Sequence, residues 1–272
     1  MTSSAAAYER ARNENRAALV GYLPVGYPDV PGSIEALVAL TEGSEGRGVD
    51  LVEIGAPYSD PVMDGLAIQH AATRALERGV RTDDVFRAVE AVTATGTPAV
   101  VMTYWNLVER YGVDRYARDL VNAGGSGLIT PDLTPDEAEG WLAASVREGL
   151  DRIFLVAPSS SDERIALTTQ ACRGWVYATA VMGVTGERQQ ISSAAPDLVE
   201  RVRRQSDVFV GVGLGVSNGD QAAEIGAYAD GVIVGSALVK HLIDNERDSS
   251  SDLSALRARV DDLAAGVRRA RG

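Results

Sequence analysis

"VFVGVGLGVSNGDQ", residues 208–221, opens with a near-continuous apolar run, passes through three alternating glycines and ends on Ser217, a residue suited to starting a helix. A strand buried on both faces reads this way, and a helix cap directly after it is the signature of a parallel β-to-α unit. The pattern repeats at once: "DGVIVGSALVK", 230–240, again runs apolar, turns on Gly235 and starts a helix at Ser236. Working outward, six more apolar runs precede this pair: "ALVGYLPV" (18–25), "VDLVEIGA" (49–56), "PAVVMTY" (98–104), "SGLITPD" (126–132), "RIFLVAP" (152–158) and "WVYATAV" (175–181). Eight strand-then-helix units predict an α/β chain folded as a closed (β/α)8 TIM barrel with additional terminal helices. Pattern alone does not prove closure, and an open doubly wound sheet is the competing arrangement.

The segments between the runs carry helix signals. "TPDEAEGWLAASVREG" offers Thr134 as N-cap, Pro135 at the first helical position and Gly149 as the stop. "SDERIALTTQACRG" and "SNGDQAAEIGAYADG" repeat the scheme. One barrel unit over 1–272 is expected, with the barrel at about 16–245 and, after a polar Ser-rich linker, a packing helix at about 252–270.

Composition narrows the chemistry. The chain carries 26 basic and 38 acidic residues, a formal net charge of −12, which offers no basic footprint for a nucleic-acid backbone. No apolar run reaches the length of a membrane span, and the N-terminus turns charged too early for a secretory signal, so a cytoplasmic protein is expected. With one cysteine (Cys172), two histidines (His70, His241) and one lysine (Lys240), imidazole- or thiolate-based metal sites and most lysine chemistry are disfavoured, and no metal site is expected.

On a barrel, residues at the carboxyl ends of the strands form the active face. The glycine turns at 211–215 and 235–236 both feed helix starts, where free N–H groups and the helix dipole favour an anion. A phosphate pocket is expected there, with "GVTGER" (183–188) as a further glycine-bearing loop or lid. "EIGAPYSDPVMDG" (53–65) supplies the acids. Glu53 ends a buried run and is expected to carry a raised pKa, suited to giving and taking a proton. Of the two aspartates on the proline-stiffened loop behind it, Asp64 is the better catalytic candidate and Asp60 the structural or interface one. Tyr22, Ile129 and Tyr177 would line an apolar mouth. Proton transfer on a phosphorylated metabolite carrying an apolar group is expected, and carbon–carbon cleavage by acid–base catalysis fits that chemistry.

The motifs "EIGAPYSDPVMDG", "GLITPDLTPDEA", "GVTG" and "GLGVS…GVIVGSALVK", in this order, resemble the tryptophan synthase α-subunit family over roughly residues 8–245. The resemblance implies a barrel that cleaves indole-3-glycerol phosphate to indole and glyceraldehyde 3-phosphate. It implies Glu53 as the general acid–base, Asp64 as acceptor of the indole N–H, Tyr177 as a wall of the site, and Gly186, Gly213, Gly215, Gly235 and Ser236 around the phosphate. Thr185 on the lid would reach Asp64 on closure. It further implies an αββα assembly with a pyridoxal-phosphate-bearing β subunit, contacted near Pro57, Asp60, Asn106 and Asp132, and no cofactor in this chain. Two other readings are a stand-alone lyase that releases indole and a silent activator of a β subunit. Against the family it resembles, the chain departs in three places: "TEGSEGRG" (41–48) makes the first crossover longer than in many relatives, Val181 and Met182 stand where some members have polar residues, and Leu214 where an aromatic can occur.

Overall fold

The computed structural model describes residues 3–179, 188–213, 215–247 and 251–271. Its strands are β1 (Ala18–Pro24), β2 (Leu51–Gly55), β3 (Ala99–Met102), β4 (Gly127–Ile129), β5 (Asp151–Ile153), β6 (Leu155–Val156), β7 (Trp175–Thr179), β8 (Phe209–Gly213) and β9 (Gly231–Val234). Neighbours pair in parallel in the order β5-β4-β3-β2-β1-β9-β8-β7-β6. The two ends of that order, β5 and β6, are consecutive in the chain with only Phe154 between them. The Tyr177 N–H donates to the Phe154 carbonyl at 3.0 Å, so the sheet nearly closes on itself. The fifth apolar run is therefore one strand in two halves: its first half pairs with β4 and its second with β7. Such a handover follows from the stagger that a closed sheet of tilted strands requires.

The helices are α1 (Ala5–Asn13), α2 (Val30–Glu42), α3 (Leu66–Glu77), α4 (Thr82–Thr93), α5 (Trp105–Tyr111), α6 (Val113–Asn122), α7 (Glu139–Glu148), α8 (Asp162–Ala171), α9 (Arg188–Gln205), α10 (Gly219–Gly226), α11 (Ser236–Arg247) and α12 (Ser254–Arg269). Caps explain several boundaries. The Asp29, Ser161 and Asn218 side chains accept N–H bonds at the starts of α2, α8 and α10, and Gly149 ends α7 in the left-handed region. Two expected starts shift. Thr134 and Pro135 open only a 3-10 turn, Pro135–Glu137, and α7 begins at Glu139. At α10 the cap is Asn218 rather than Ser217. The C-terminal helix expected at about 252–270 is α12, and it packs between α10 and α2 in the outer layer. The helix directly after β9, α11, packs instead on α3 and β1.

Strand side chains alternate between two cores. Val52, Ile54, Val101, Val176, Val210, Val212, Val232 and Val234 face the helices. Val20, Leu51, Val100, Ile129, Ile153, Trp175 and Ile233 fill the barrel, joined from α1 by Ala7, Tyr8 and Ala11. This period of two puts Glu53 on the same side of β2 as Leu51, inside the barrel.

Candidate active site

Glu53 lies on β2, in register with Tyr22 of β1 on one side and Val100 of β3 on the other. It is 1% exposed, and its Oε2 has no hydrogen-bond partner among the described residues. Burial, with a smaller contribution from the nearby Asp64 carboxylate, pushes its pKa up to about 8. Near neutral pH the group therefore holds its proton and can give it up at little cost, which a solvated carboxylate cannot do.

Asp64 stands on the loop between β2 and α3. Burial raises its pKa, while the Tyr104 hydroxyl, donating to Oδ1 at 3.2 Å, pulls it back down. The same hydroxyl accepts the Val62 N–H at 3.1 Å, and the Asp64 carbonyl accepts from Gln69 Nε2 of α3 at 2.7 Å. Tyr104 is itself held by its ring, stacked on Tyr58 at 4.7 Å. So the loop is fixed to the end of β3 by one phenol, and that phenol orients the second acid. The sequence gives Tyr104 no distinguishing mark beyond its place at the end of an apolar run, and it was not among the expected site residues.

Tyr22 and Tyr177 close the walls around the acids. Both hydroxyls are held protonated by burial and by the negative field of Glu53 and Asp64. Tyr22 is almost fully buried, Tyr177 half-buried, and Ile129 wholly inside the barrel core. Gly213, at the end of β8, makes room for Tyr177: a Cβ there would sit 2.5 Å from its hydroxyl. Gly215 adopts φ +69° with nothing within 4 Å of an added Cβ, so its backbone borders open space. Gly235 lies against Tyr22, and Ser236 opens α11. A Cβ on Gly65, the residue before α3, would lie 3.3 Å from Ser236 Oγ, so the starts of α3 and α11 converge beside the glycine turns. Their leading N–H groups lack acceptors within the helix.

The four expected interface residues follow neighbouring strands: Pro57 and Asp60 on the loop after β2, Asn106 in the first turn of α5, and Asp132 on the loop after β4. Pro57 is buried and Asp60 exposed, accepting from Ser59 Oγ at 2.6 Å. Asn106 Nδ2 reaches Tyr58 Oη at 3.5 Å, and both Asp132 oxygens accept the Trp105 N–H that starts α5, at 2.9 and 3.1 Å. On the stretch that follows Asp60, Val62 is 77% exposed and Leu66, the first residue of α3, 78%. Thr185 and Gly186, together with Val181, Met182, Gly183 and Leu214, lie outside the described residues.

A sequence profile described as tryptophan synthase alpha chain matches residues 8–268. Among relatives, the tryptophan synthase alpha chain of Mycobacterium avium (strain 104) is 62% identical over 261 residues, covering 96% of this chain and 93% of that one. That of Acidothermus cellulolyticus is 60% identical over 269 residues, 99% and 98% of the two chains. Among solved structures, Mycobacterium tuberculosis tryptophan synthase superposes with a TM-score of 0.90 at 58% identity, covering 98% of this chain and 99% of that one. The α subunit from Legionella pneumophila keeps a TM-score of 0.87 at only 29% identity, over 98% and 99% of the two chains. With a matching profile over nearly its whole length and relatives at this identity, the chain belongs to the tryptophan synthase α-chain family.

Proposed function

We propose that Glu53 moves the reacting proton in this chain and that Asp64 holds the other end of the heterocycle. As a family member the chain is a lyase that cleaves indole-3-glycerol phosphate to indole and glyceraldehyde 3-phosphate, with a tryptophan synthase β subunit as its partner. In the proposed cycle, protonated Glu53 delivers its proton to indole C3 while Asp64 accepts the indole N–H and stabilises the positive charge that forms on the ring. The carboxylate left on Glu53 then takes the proton of the glycerol hydroxyl beside the breaking bond. The electron pair of that bond returns to the ring, the hydroxyl carbon becomes the aldehyde, and Glu53 ends protonated as it began. The observation that carries this reading is a fully buried glutamate, its proton held to about 8, within the field of a second carboxylate.

Binding is divided by chemistry. Tyr22, Ile129 and Tyr177 would pack the indole, while Gly213, Gly215, Gly235 and Ser236, with Gly186 of the lid, would hold the phosphate and Thr185 would meet Asp64 on closure. Pro57, Asp60, Asn106 and Asp132 would face the β subunit, a role supported by the exposed Val62 and Leu66 beside them. The assembly would be αββα, with pyridoxal phosphate in β, no cofactor in this chain, and a cytoplasmic location. Among the described residues no helix is long and apolar enough to cross a membrane.

Glu53→Gln tests the assignment. With a β subunit at saturation, kcat for indole release should fall by roughly 10²-fold or more, the usual contribution of a positioned acid–base group. Retention of more than about a tenth of the wild-type kcat, a barrier change under about 1.4 kcal/mol, rules Glu53 out.

A further inference from the structure

The barrel interior holds an aromatic column that the reaction itself does not call for. Tyr8 of α1 enters from the end of the barrel opposite the active face. Its ring lies 5.4 Å from that of Trp175, at 31°, and Trp175 lies 5.7 Å from Tyr177, again at 31°. Tyr8 also stacks on Phe209 at 5.5 Å, and Arg12 of the same helix covers the Phe209 ring at 4.9 Å. We propose that Tyr8 is a positioning residue for the active site, setting through Trp175 the placement of the Tyr177 ring that packs the indole. The proposal rests on the reading of Tyr177 as a wall of the substrate site.

Three features restrain the column and tie it to Tyr177. Tyr8 and Trp175 are at most 1% exposed. The neighbouring strands present glycines where the rings press. An added Cβ would lie 2.6 Å from Tyr8 Oη at Gly211, 2.5 Å from Tyr8 Cε1 at Gly231 and 2.5 Å from Tyr177 Oη at Gly213. The rings therefore touch backbone on that flank, and close-packed interiors pass a displacement on rather than absorb it. Finally, the base of the column is anchored. Asp151 Oδ2, wholly buried, accepts from Ser4 N and Ser4 Oγ at 2.7 Å each and from Ser3 Oγ at 2.8 Å, which pins the start of α1. The Tyr8 hydroxyl has no partner among the described residues, so the ring, not the phenol, does the positioning.

The test compares Tyr8→Leu, Tyr8→Phe, Trp175→Phe and Tyr177→Leu in complex with β, with kinetics normalised to folded protein by circular dichroism. Tyr8→Leu should raise KM for indole-3-glycerol phosphate about fivefold or more with kcat within about twofold, the mark of lost uniform binding, and Tyr8→Phe should stay near wild type. A purely structural Tyr8 would lower the melting temperature and leave KM unchanged, which overturns the proposal. Should Tyr8→Leu not fold, Trp175→Phe decides: a raised KM supports the column and an unchanged one refutes it. If Tyr177→Leu leaves KM unchanged, the reading of Tyr177 falls and the proposal with it. If Tyr177→Leu raises KM and the column variants do not, only the column proposal falls.

Discussion

At the scale of single residues, Glu53 couples function to stability. Its place inside the barrel was legible because Leu51 and Glu53 share the inward phase of one strand, and a charge in the middle of an apolar strand has few structural excuses. Tyr104 was not legible. What makes it matter is a hydrogen bond to Asp64, 40 positions away, which no local pattern encodes. The raised pKa of Glu53 has a thermodynamic consequence with a definite sign. Below about pH 4.5 both folded and unfolded chains keep the proton and the group is neutral in each. From 4.5 towards 8 the unfolded chain releases it while the fold retains it, so stability declines as pH rises, and above about 8 the fold carries a desolvated carboxylate. Glu53→Gln removes that ionisation. Its melting temperature, relative to wild type, should climb by several degrees between pH 5 and pH 9, a difference on the order of a few kcal/mol. Parallel melting curves for the two proteins across that range would show that Glu53 does not titrate as described.

At the scale of elements, the eight apolar runs became strands because parallel strands covered on both faces need apolar side chains in both phases. Helix starts were less legible. Thr134-Pro135 carries the cap signature yet yields a single 3-10 turn before α7, since tertiary packing places the helix and propensity only biases it. Of the terminal helices expected around the barrel, α1 was given no bounds from the sequence. "SSAAAYERARNEN" has a mean hydropathy too low to suggest a buried element, and its burial depends on a partner at Asp151, 147 positions from Ser4. That partner gives α1 a measurable anchor. Asp151→Ala would leave the Ser4 hydroxyl and N–H buried without their acceptor, at a cost of about 1–3 kcal/mol. For a chain of this size the melting temperature should drop by roughly 5 °C. Limited proteolysis should then cut first in the 3–17 segment, and cleavage there no faster than in wild type would mean that Asp151 does not hold the helix.

At the scale of the whole molecule, closure depends on the two ends of the sequence. Eight strand–helix units suggested that the helix after the last strand would complete the ring and that the tail would be an addition. The structure assigns these places the other way round, because α11 leaves the end of β9 towards α3, and α12 fills the space between α10 and α2. Its buried face, Leu256, Val260, Leu263, Ala264 and Val267, is continuous with the outer core. The contacts around it are specific. Asp262 accepts the Gly219 N–H that starts α10, at 2.9 Å, and Gly266 crosses so close that a Cβ would lie 2.2 Å from the Gly219 carbonyl oxygen. The first crossover reaches the same helix, with the Ser44 N–H donating to Asp261 at 2.9 Å and Arg257 paired to Glu42 at 2.7 Å. The segment "TEGSEGRG" thus contributes a strap rather than a slack loop. Loss of α12 would uncover the apolar flanks of β1, α2 and α10 together, a defect far larger than a domain's usual margin of about 5–15 kcal/mol can absorb. A chain ending at residue 251 should therefore bind a hydrophobic dye and lack a cooperative thermal transition. Gly266→Leu, which only wedges the crossing, should keep the transition and lower its midpoint by several degrees. A truncated chain that still melts cooperatively near the wild-type temperature would show that the barrel closes without its eighth outer helix.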